Sequence, residues 1–133
     1  MSRRLFVDAG AWFALANRRD PDHRAAREAL ESFPGRLVTS DFVFDETVTL
    51  CRYRFGHDVA SRVGEELRGG ELADVVRATA DDESRAWKLF RERPDQKYSF
   101  TDCVSFVIMR RLGIEQATAF DDDFRREGFD VLP

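Results

Sequence analysis

Lysine, histidine and cysteine are scarce in this sequence, and the scarcity of histidine and cysteine argues against two classes of site. Only two of the 21 basic residues are lysine, and the two histidines stand far apart at His23 and His57. The two cysteines, Cys51 and Cys103, lack CxxC spacing and lie in apolar, helix-like contexts. We therefore expect neither a disulfide framework nor a zinc site, and both cysteines are predicted to be buried free thiols.

Long apolar runs and a surplus of positive charge are also missing. No run of roughly 18 apolar residues occurs, and the N-terminal segment MSRRLFVDAG has too short an apolar stretch for a signal peptide. The sequence thus predicts no membrane span and a cytoplasmic protein. A formal net charge of −4 argues against the long basic face of a high-affinity DNA binder, but it does not exclude a nuclease whose acids gather in one metal site.

What the sequence does contain is an alternation of short apolar strands with helices, all within a single predicted domain, residues 1–133. A chain of 133 residues that is 43% hydrophobic can build one core and has no room for a second domain. The predicted strands lie at 5–7, 37–39, 75–76, 117–120 and 129–132, and the main helices at about 10–17, 21–33, 41–55, 57–69, 81–93 and 99–112. Because a parallel crossover needs a helix to cover the sheet, we expect an α/β fold: a three-layer α/β/α sandwich with a mostly parallel, four- or five-stranded sheet.

Two acids follow predicted strands directly. Asp8 ends the first strand, and Asp121 ends the strand ATAF. For either one alone, a helix cap or a turn is the ordinary explanation. Ligands bind at the carboxyl ends of the strands in open α/β sheets, so these two acids would face each other if their strands are neighbours.

A third acid, Glu46, lies inside a predicted helix. Helical spacing places it on a largely apolar stripe that includes Phe42, Val43 and Leu50. A glutamate among core positions needs a partner, which a metal ion or one of the many arginines would supply. An ion pair with an arginine and a metal ligand both remain open at this point.

The fourth acid, Asp102, opens the helix in YSFTDCVSFVIMRRLG. Ser99 and Thr101 are candidate caps there, and an acid in the first turn is favoured by the helix dipole. A capping role alone explains Asp102 in most helices of this kind. Further along, the tail AFDDDF offers three consecutive acids, of which we expect Asp121 and Asp123 to point inward and Asp122 to be solvated.

These four carboxylates come from distant parts of the chain, and one metal site explains them together. Held close without a cation they would repel one another and raise one another's pKa. Hard oxygen ligands in this arrangement suit Mg²⁺ or Mn²⁺, which also bind phosphate oxygens. The sequence therefore predicts a divalent-metal site that activates water against a phosphate ester.

The same four segments resemble the PIN-domain ribonucleases, most closely the VapC-type toxins of toxin–antitoxin pairs. The resemblance covers nearly the whole chain through FVDAGAWFAL, LVTSDFVFDETVTL, YSFTDCVSFVIMRRLG and ATAFDDDFRREGFDVLP, in that order. It implies that four acids form the metal-binding and catalytic set: Asp8, Glu46, Asp102 and Asp121. It also implies that Asp123 is an additional or alternative metal ligand. Thr101 matches a polar residue beside the third acid.

What the resemblance implies is a divalent-metal-dependent endoribonuclease, the toxin of a type II system, that acts on RNA. It also implies a cognate antitoxin and a homodimer. In the expected mechanism three acids, Asp8, Glu46 and Asp102, hold one ion, while Asp121 helps to hold a second ion or orients the water. Two alternatives stay open: a catalytically idle module of the same fold that binds RNA or a protein, and a Mg-dependent phosphatase. The phosphatase fits poorly because Gly10 stands where that chemistry needs a second acid.

Overall fold

The computed structural model describes residues 3–133, so the start of the predicted domain at residues 1–2 lies outside the described part. Five strands and seven helices alternate along it. The strands are β1 (Arg4–Val7), β2 (Arg36–Ser40), β3 (Asp74–Val76), β4 (Gln116–Thr118) and β5 (Asp130–Val131). The helices are α1 (Ala9–Ala16), α2 (His23–Ser32), α3 (Asp41–Phe55), α4 (His57–Arg68), α5 (Ala80–Glu92), α6 (Phe100–Leu112) and α7 (Asp123–Arg126).

All five strands form one parallel sheet in the order β3-β2-β1-β4-β5, which confirms the predicted α/β sandwich. The central strand β1 is fully buried at Leu5, Phe6 and Val7 because helices cover both of its faces. Right-handed crossovers place α1 to α4 on one face of the sheet and α5 to α7 on the other.

The direction of travel across the sheet reverses between β1 and β4. The chain first moves outward from β1 through β2 to β3, and then returns to pair β4 with the other side of β1. Beyond the carboxyl ends of two such strands the flanking helices diverge and leave a crevice. The segments that follow β1 and β4 meet there, where the backbone N–H of Asp8 donates to the carbonyl of Thr118 at 3.1 Å.

Helix α3 begins and ends where the sequence predicts. The Ser40 hydroxyl accepts the backbone N–H of Val43 at 3.1 Å, which satisfies one of the free donors of the first turn. At the other end Gly56 adopts a φ of +93°, a conformation that other residues avoid. These local signals fix the helix that carries Glu46.

Several sequence predictions are corrected by the structure. Strand β4 ends at Thr118 instead of residue 120, so two residues outside the sheet connect it to Asp121. Helix α2 begins at His23, because Asp20 accepts the backbone N–H of Asp22 in a turn that precedes the helix. The helical spacing of Ala86, Leu89 and Phe90 predicts that all three face inward, but Phe90 is 40% exposed, since α5 buries only its Ala86 and Asp82 side.

Two further predictions concern the thiols and the membrane. Cys51 and Cys103 are both buried and free, as predicted. Of the helices that the structure describes within residues 3–133, none is both long and apolar enough to cross a membrane.

Candidate metal centre at the carboxyl edge of the sheet

Asp8 lies at the bottom of the crevice, at the junction of β1 and α1. Its backbone carbonyl accepts the N–H groups of Ala11 and Trp12, but its side chain makes no capping hydrogen bond. The residue is only 7% exposed, and its Oδ1 atom has no hydrogen-bond partner within residues 3–133. The ordinary explanation of Asp8 as a side-chain cap is therefore wrong, and a buried carboxylate oxygen is left without a partner.

The electrostatic state of Asp8 follows from that burial. Burial, and next the negative charge of Asp102, raises the pKa of Asp8 to about 8, while the backbone N–H of Ala9 lowers it. Asp121 and Glu46 raise it further. All three other predicted catalytic acids thus lie within electrostatic range of Asp8, and the group needs either a proton or a cation at neutral pH.

Asp102 caps its helix and faces the acids at the same time. Its backbone N–H donates to Ser99 Oγ at 3.0 Å, and its Oδ2 accepts the backbone N–H of Ser99 at 2.9 Å, so the two residues form a reciprocal capping box. Burial raises the pKa of Asp102 to about 6, with Asp121 and Asp123 adding to the rise and Ser99 opposing it. The capping role confirmed here uses Oδ2 and leaves Oδ1 available for a ligand.

The surroundings of Glu46 differ from the sequence prediction. Helix α3 buries Val43, Thr47 and Cys51, and Glu46 lies on an exposed part of the helix, so the predicted apolar stripe is wrong. The stripe was placed about one residue, or roughly 100°, away from the true buried face. Partial burial of the carboxylate nevertheless raises the pKa of Glu46, and the Thr101 side chain lowers it through a hydrogen bond. No arginine within the described residues forms an ion pair with Glu46.

The three acids after β4 take different positions. Asp121 Oδ1 accepts the backbone N–H of Asp123 at 3.1 Å, which turns the chain into α7. The side chain of Asp123 is 15% exposed and lies 3.4 Å from Arg126, whereas that of Asp122 is 68% exposed beside Arg125. Asp122 is thus solvated and Asp123 is largely buried, as expected. The prediction that Asp121 points inward is wrong, because the turn into α7 leaves it exposed, although it stays within electrostatic range of Asp8, Glu46 and Asp102.

The fold therefore brings the predicted acids to one crevice, although their side chains do not converge on a single point. In the part of the chain that the structure describes, no group of three or more acid, histidine or cysteine side chains is close enough together to hold a metal ion. Carboxylates of like charge repel and stand apart unless a cation lies between them. The unpartnered Oδ1 of Asp8, together with donors that are all hard oxygens, fits Mg²⁺ or Mn²⁺ and does not fit a soft metal.

Two neighbouring arginines of α6, Arg110 and Arg111, bind acids from other elements. Arg111 binds both carboxylate oxygens of the buried Asp82 at 2.8 Å, and Arg110 binds Glu127 at 3.1 Å. Sequence patterns do not indicate that Asp82 and Glu127 are buried acids, because both lie in strongly polar segments next to other charged residues. Both are neutralised by arginine, which separates them from the unpaired acids of the crevice.

Comparison with known proteins shows which family and fold the chain has. Residues 5–129 match the PIN domain family. The chain is 39% identical over 125 residues to the 23S rRNA-specific endonuclease VapC20 of Mycobacterium tuberculosis, covering 94% of this chain and 95% of that relative. Ribonuclease VapC26 of the same species is 30% identical over 109 residues, covering 80% and 78% of the two chains.

A solved structure gives the same result for the fold. The crystal structure of M. tuberculosis VapC20, described as a Sarcin-Ricin loop cleaving toxin, superposes with a TM-score of 0.91 and covers 97% of this chain and 99% of that one. The family match covers most of the chain, and the two relatives are endonucleases or ribonucleases by name. The chain therefore belongs to the PIN-domain family and is a VapC-type toxin endoribonuclease.

Proposed function

We propose that Asp8, Glu46, Asp102 and Asp121 form the catalytic metal site of this endoribonuclease, with Asp123 as an additional ligand. The observation that carries this assignment is the buried, unpartnered Oδ1 of Asp8. A buried carboxylate oxygen with no donor destabilises the fold, and a divalent cation offsets that cost. The other acids supply the remaining oxygens from helix termini and loops on opposite sides of the same crevice.

The proposed acids have two different roles. Asp8, Glu46 and Asp102 would hold one Mg²⁺ or Mn²⁺, and Asp121 would hold a second ion or orient the attacking water. When bound, the metal supplies a nucleophilic water at neutral pH and neutralises charge on the scissile phosphate. Thr101 would favour the charged form of the Glu46 carboxylate, since its hydrogen bond opposes the rise in pKa that burial causes.

No histidine is positioned to act as a general base in the crevice. His23 Nδ1 lies 2.8 Å from the carbonyl oxygen of Ala14, and His57 begins α4 with its Nδ1 4.0 Å from the carboxylate of Asp58. Proton transfer therefore falls to the carboxylates and to water. This distinguishes the site from metal-independent ribonucleases that use histidine as acid and base.

We further propose that the substrate is ribosomal RNA. The support is the 39% identity to a relative named for 23S rRNA, which extends over 95% of that relative. A ribosomal target places the protein in the cytoplasm. Inhibition by a cognate antitoxin and assembly as a homodimer follow from the same VapC resemblance and belong to this proposal.

A cleavage assay tests the assignment. Purified wild-type protein is incubated with a 23S rRNA fragment in Mg²⁺, Mn²⁺ or EDTA, and cut sites are mapped by primer extension. Asp102→Asn removes a proposed ligand, and Asp58→Asn is the matched control because Asp58 is fully exposed on α4. We expect metal-dependent cleavage by wild type and Asp58→Asn only. Cleavage by Asp102→Asn at the wild-type rate would contradict the metal site.

Cleavage in EDTA would contradict the metal requirement itself. If the folded protein binds the RNA and cuts it under neither ion, the idle binding module gains support. Cleavage of other RNAs with 23S rRNA left intact would overturn only the proposed substrate.

A further inference from the structure

Glu127, just after α7, has a carboxylate that three side chains bind. The side chain is 4% exposed. Its Oε2 accepts the hydroxyl of Tyr98 at 3.0 Å and Nε of Arg93 at 3.1 Å, while its Oε1 accepts Nη2 of Arg110 at 3.1 Å. One buried carboxylate thereby joins the end of α5, the loop before α6, the body of α6 and the end of α7.

Two of these connections lead directly to the proposed metal ligands. Tyr98 immediately precedes Ser99, the residue whose hydroxyl caps the helix at Asp102. At the other end, the backbone N–H of Glu127 donates to the carbonyl of Asp123 at 3.2 Å. The Tyr98–Glu127 hydrogen bond is thus a short link between the start of the Asp102 helix and the turn that carries Asp123.

The link runs along the buried side of the acid cluster. Tyr98 is only 6% exposed, and Cys103, which follows Asp102 on α6, is fully buried.

Apolar contacts reinforce the same link. The Tyr98 ring packs edge-on against Phe106 of α6, with centroids 5.1 Å apart, and Phe106 packs edge-on against Phe124 of α7 at 4.9 Å. Arg110 lies over the Phe129 ring at 5.2 Å. The hydrogen bonds to Glu127 therefore fix the relative position of α6 and α7 at a packed junction.

A link of this kind opposes the repulsion between the acids that it positions. Asp102 lies in the first turn of α6, and Asp121 and Asp123 lie at the start of α7, so that the like charges of these carboxylates repel one another across the crevice. The two arginines neutralise Glu127, so that its own charge does not add to the repulsion. Without the link, the two segments could separate and the acids would bind a shared cation less tightly.

We propose that Glu127 is a positioning residue that acts through the Tyr98 hydroxyl to keep Asp102 at the distance from Asp121 and Asp123 that a shared divalent cation requires. This inference rests on the proposed metal site. It assigns to a residue outside the ligand set a specific effect on metal affinity, beyond any effect on folding.

The test is direct Mn²⁺ binding, measured by calorimetry or by the loss of the free-ion signal in electron paramagnetic resonance. Tyr98→Phe removes the hydroxyl and keeps the packed ring, and Tyr53→Phe is the matched control because Tyr53 is 84% exposed on α3. We expect Tyr98→Phe to weaken Mn²⁺ binding by about tenfold, the lower end of the effect of partners that orient metal ligands. Tyr53→Phe should bind Mn²⁺ as the wild type does.

Two further measurements separate positioning from general stability. Saturating Mn²⁺ should restore the kcat of RNA cleavage in Tyr98→Phe, so that only the metal concentration for half-maximal activity changes. Glu127→Gln should weaken Mn²⁺ binding at least as much, since it removes the charge that orders the donors. A lower melting temperature in Tyr98→Phe with an unchanged Mn²⁺ affinity would overturn the inference and leave Tyr98 a purely structural residue.

The outcomes also separate this inference from the proposed site. If wild-type protein binds Mn²⁺, Asp102→Asn abolishes binding and Tyr98→Phe has no effect, the metal site stands and the positioning role is wrong. If wild type fails to bind Mn²⁺, or if Asp102→Asn binds it unchanged, both are wrong.

Discussion

Replacement of Asp8 by asparagine should stabilise the metal-free protein at neutral pH, even though it removes the central proposed ligand. Burial raises the pKa of Asp8 from an ordinary value of 3.8 to about 8. The unfolded chain therefore releases this proton near its ordinary pKa, while the folded protein retains it. Between these two pKa values the folded state binds more protons than the unfolded state, so the stability of the folded protein falls as pH rises through that range.

The size of this stability difference follows from the distance between the unfolded pKa of Asp8 and neutral pH. Integrated from the unfolded pKa to neutral pH, a rise to about 8 corresponds to a cost of roughly 4 kcal/mol from the Asp8 carboxyl group. Asparagine cannot ionise and so avoids this cost. Its amide needs hydrogen-bond partners, however, and unsatisfied amide donors reduce the gain in stability by about 1–2 kcal/mol. We expect Asp8→Asn to gain about 2–3 kcal/mol at neutral pH, or roughly 10 °C in melting temperature for a chain of this size.

The assay is urea denaturation in EDTA from about pH 4 to about pH 8, the window set by the pKa of Asp8. The advantage of Asp8→Asn should be absent at the acid end and grow towards the alkaline end. Added Mn²⁺ should stabilise the wild type and leave Asp8→Asn unchanged, because a ligand stabilises only a folded state that binds it. Asp58→Asn, exposed on α4, controls for a surface carboxylate. A variant no more stable than wild type at neutral pH, or a difference that does not depend on pH, would refute the reasoning.

Three further predictions concern stability away from Asp8. Arg111→Met should lower the free energy of unfolding by about 3 kcal/mol or more, because it leaves the fully buried Asp82 carboxylate without its cation. The Mn²⁺ affinity should stay unchanged, and an equal loss of Mn²⁺ binding would contradict this. Gly35→Ala should cost about 1–3 kcal/mol, because a Cβ there would overlap the backbone carbonyl of Arg3, and a melting temperature equal to that of the wild type would show that the strand can shift at no cost. Ser99→Ala should cost about 1 kcal/mol in chemical denaturation through loss of the cap on the Asp102 N–H, and no loss would mean that water replaces the hydroxyl.

The sequence predicts elements well wherever local signals define them. Helix α3 runs from Asp41 to Phe55 as expected, since a serine cap precedes it and a glycine of positive φ follows it. The parallel sheet follows from the alternation of short apolar strands with helices. The position of Asp8 at the carboxyl end of the central strand follows from the same pattern.

The surroundings of individual acids could not be predicted in the same way. The buried face of α3 depends on how that helix packs against its neighbours, so helical spacing alone placed Glu46 on the wrong stripe. Glu127 and Asp82 are buried because arginines from other elements reach them, and those pairings join residues 17 to 34 positions apart in the chain. Sequence patterns indicate which acids follow strands, but only the packed fold shows which acids are left without a partner.

The central claim is that a divalent cation binds at the unpartnered Oδ1 of Asp8, among the acids of the crevice. Anomalous diffraction from crystals of this protein soaked in Mn²⁺ tests it most directly. We predict an anomalous peak at ligand distance, roughly 2.0–2.3 Å, from Asp8 Oδ1 and from carboxylate oxygens of Asp102 and Glu46 or Asp121. A crystal that takes up Mn²⁺ only elsewhere, with Asp8 Oδ1 still lacking a cation, would contradict the proposed metal site.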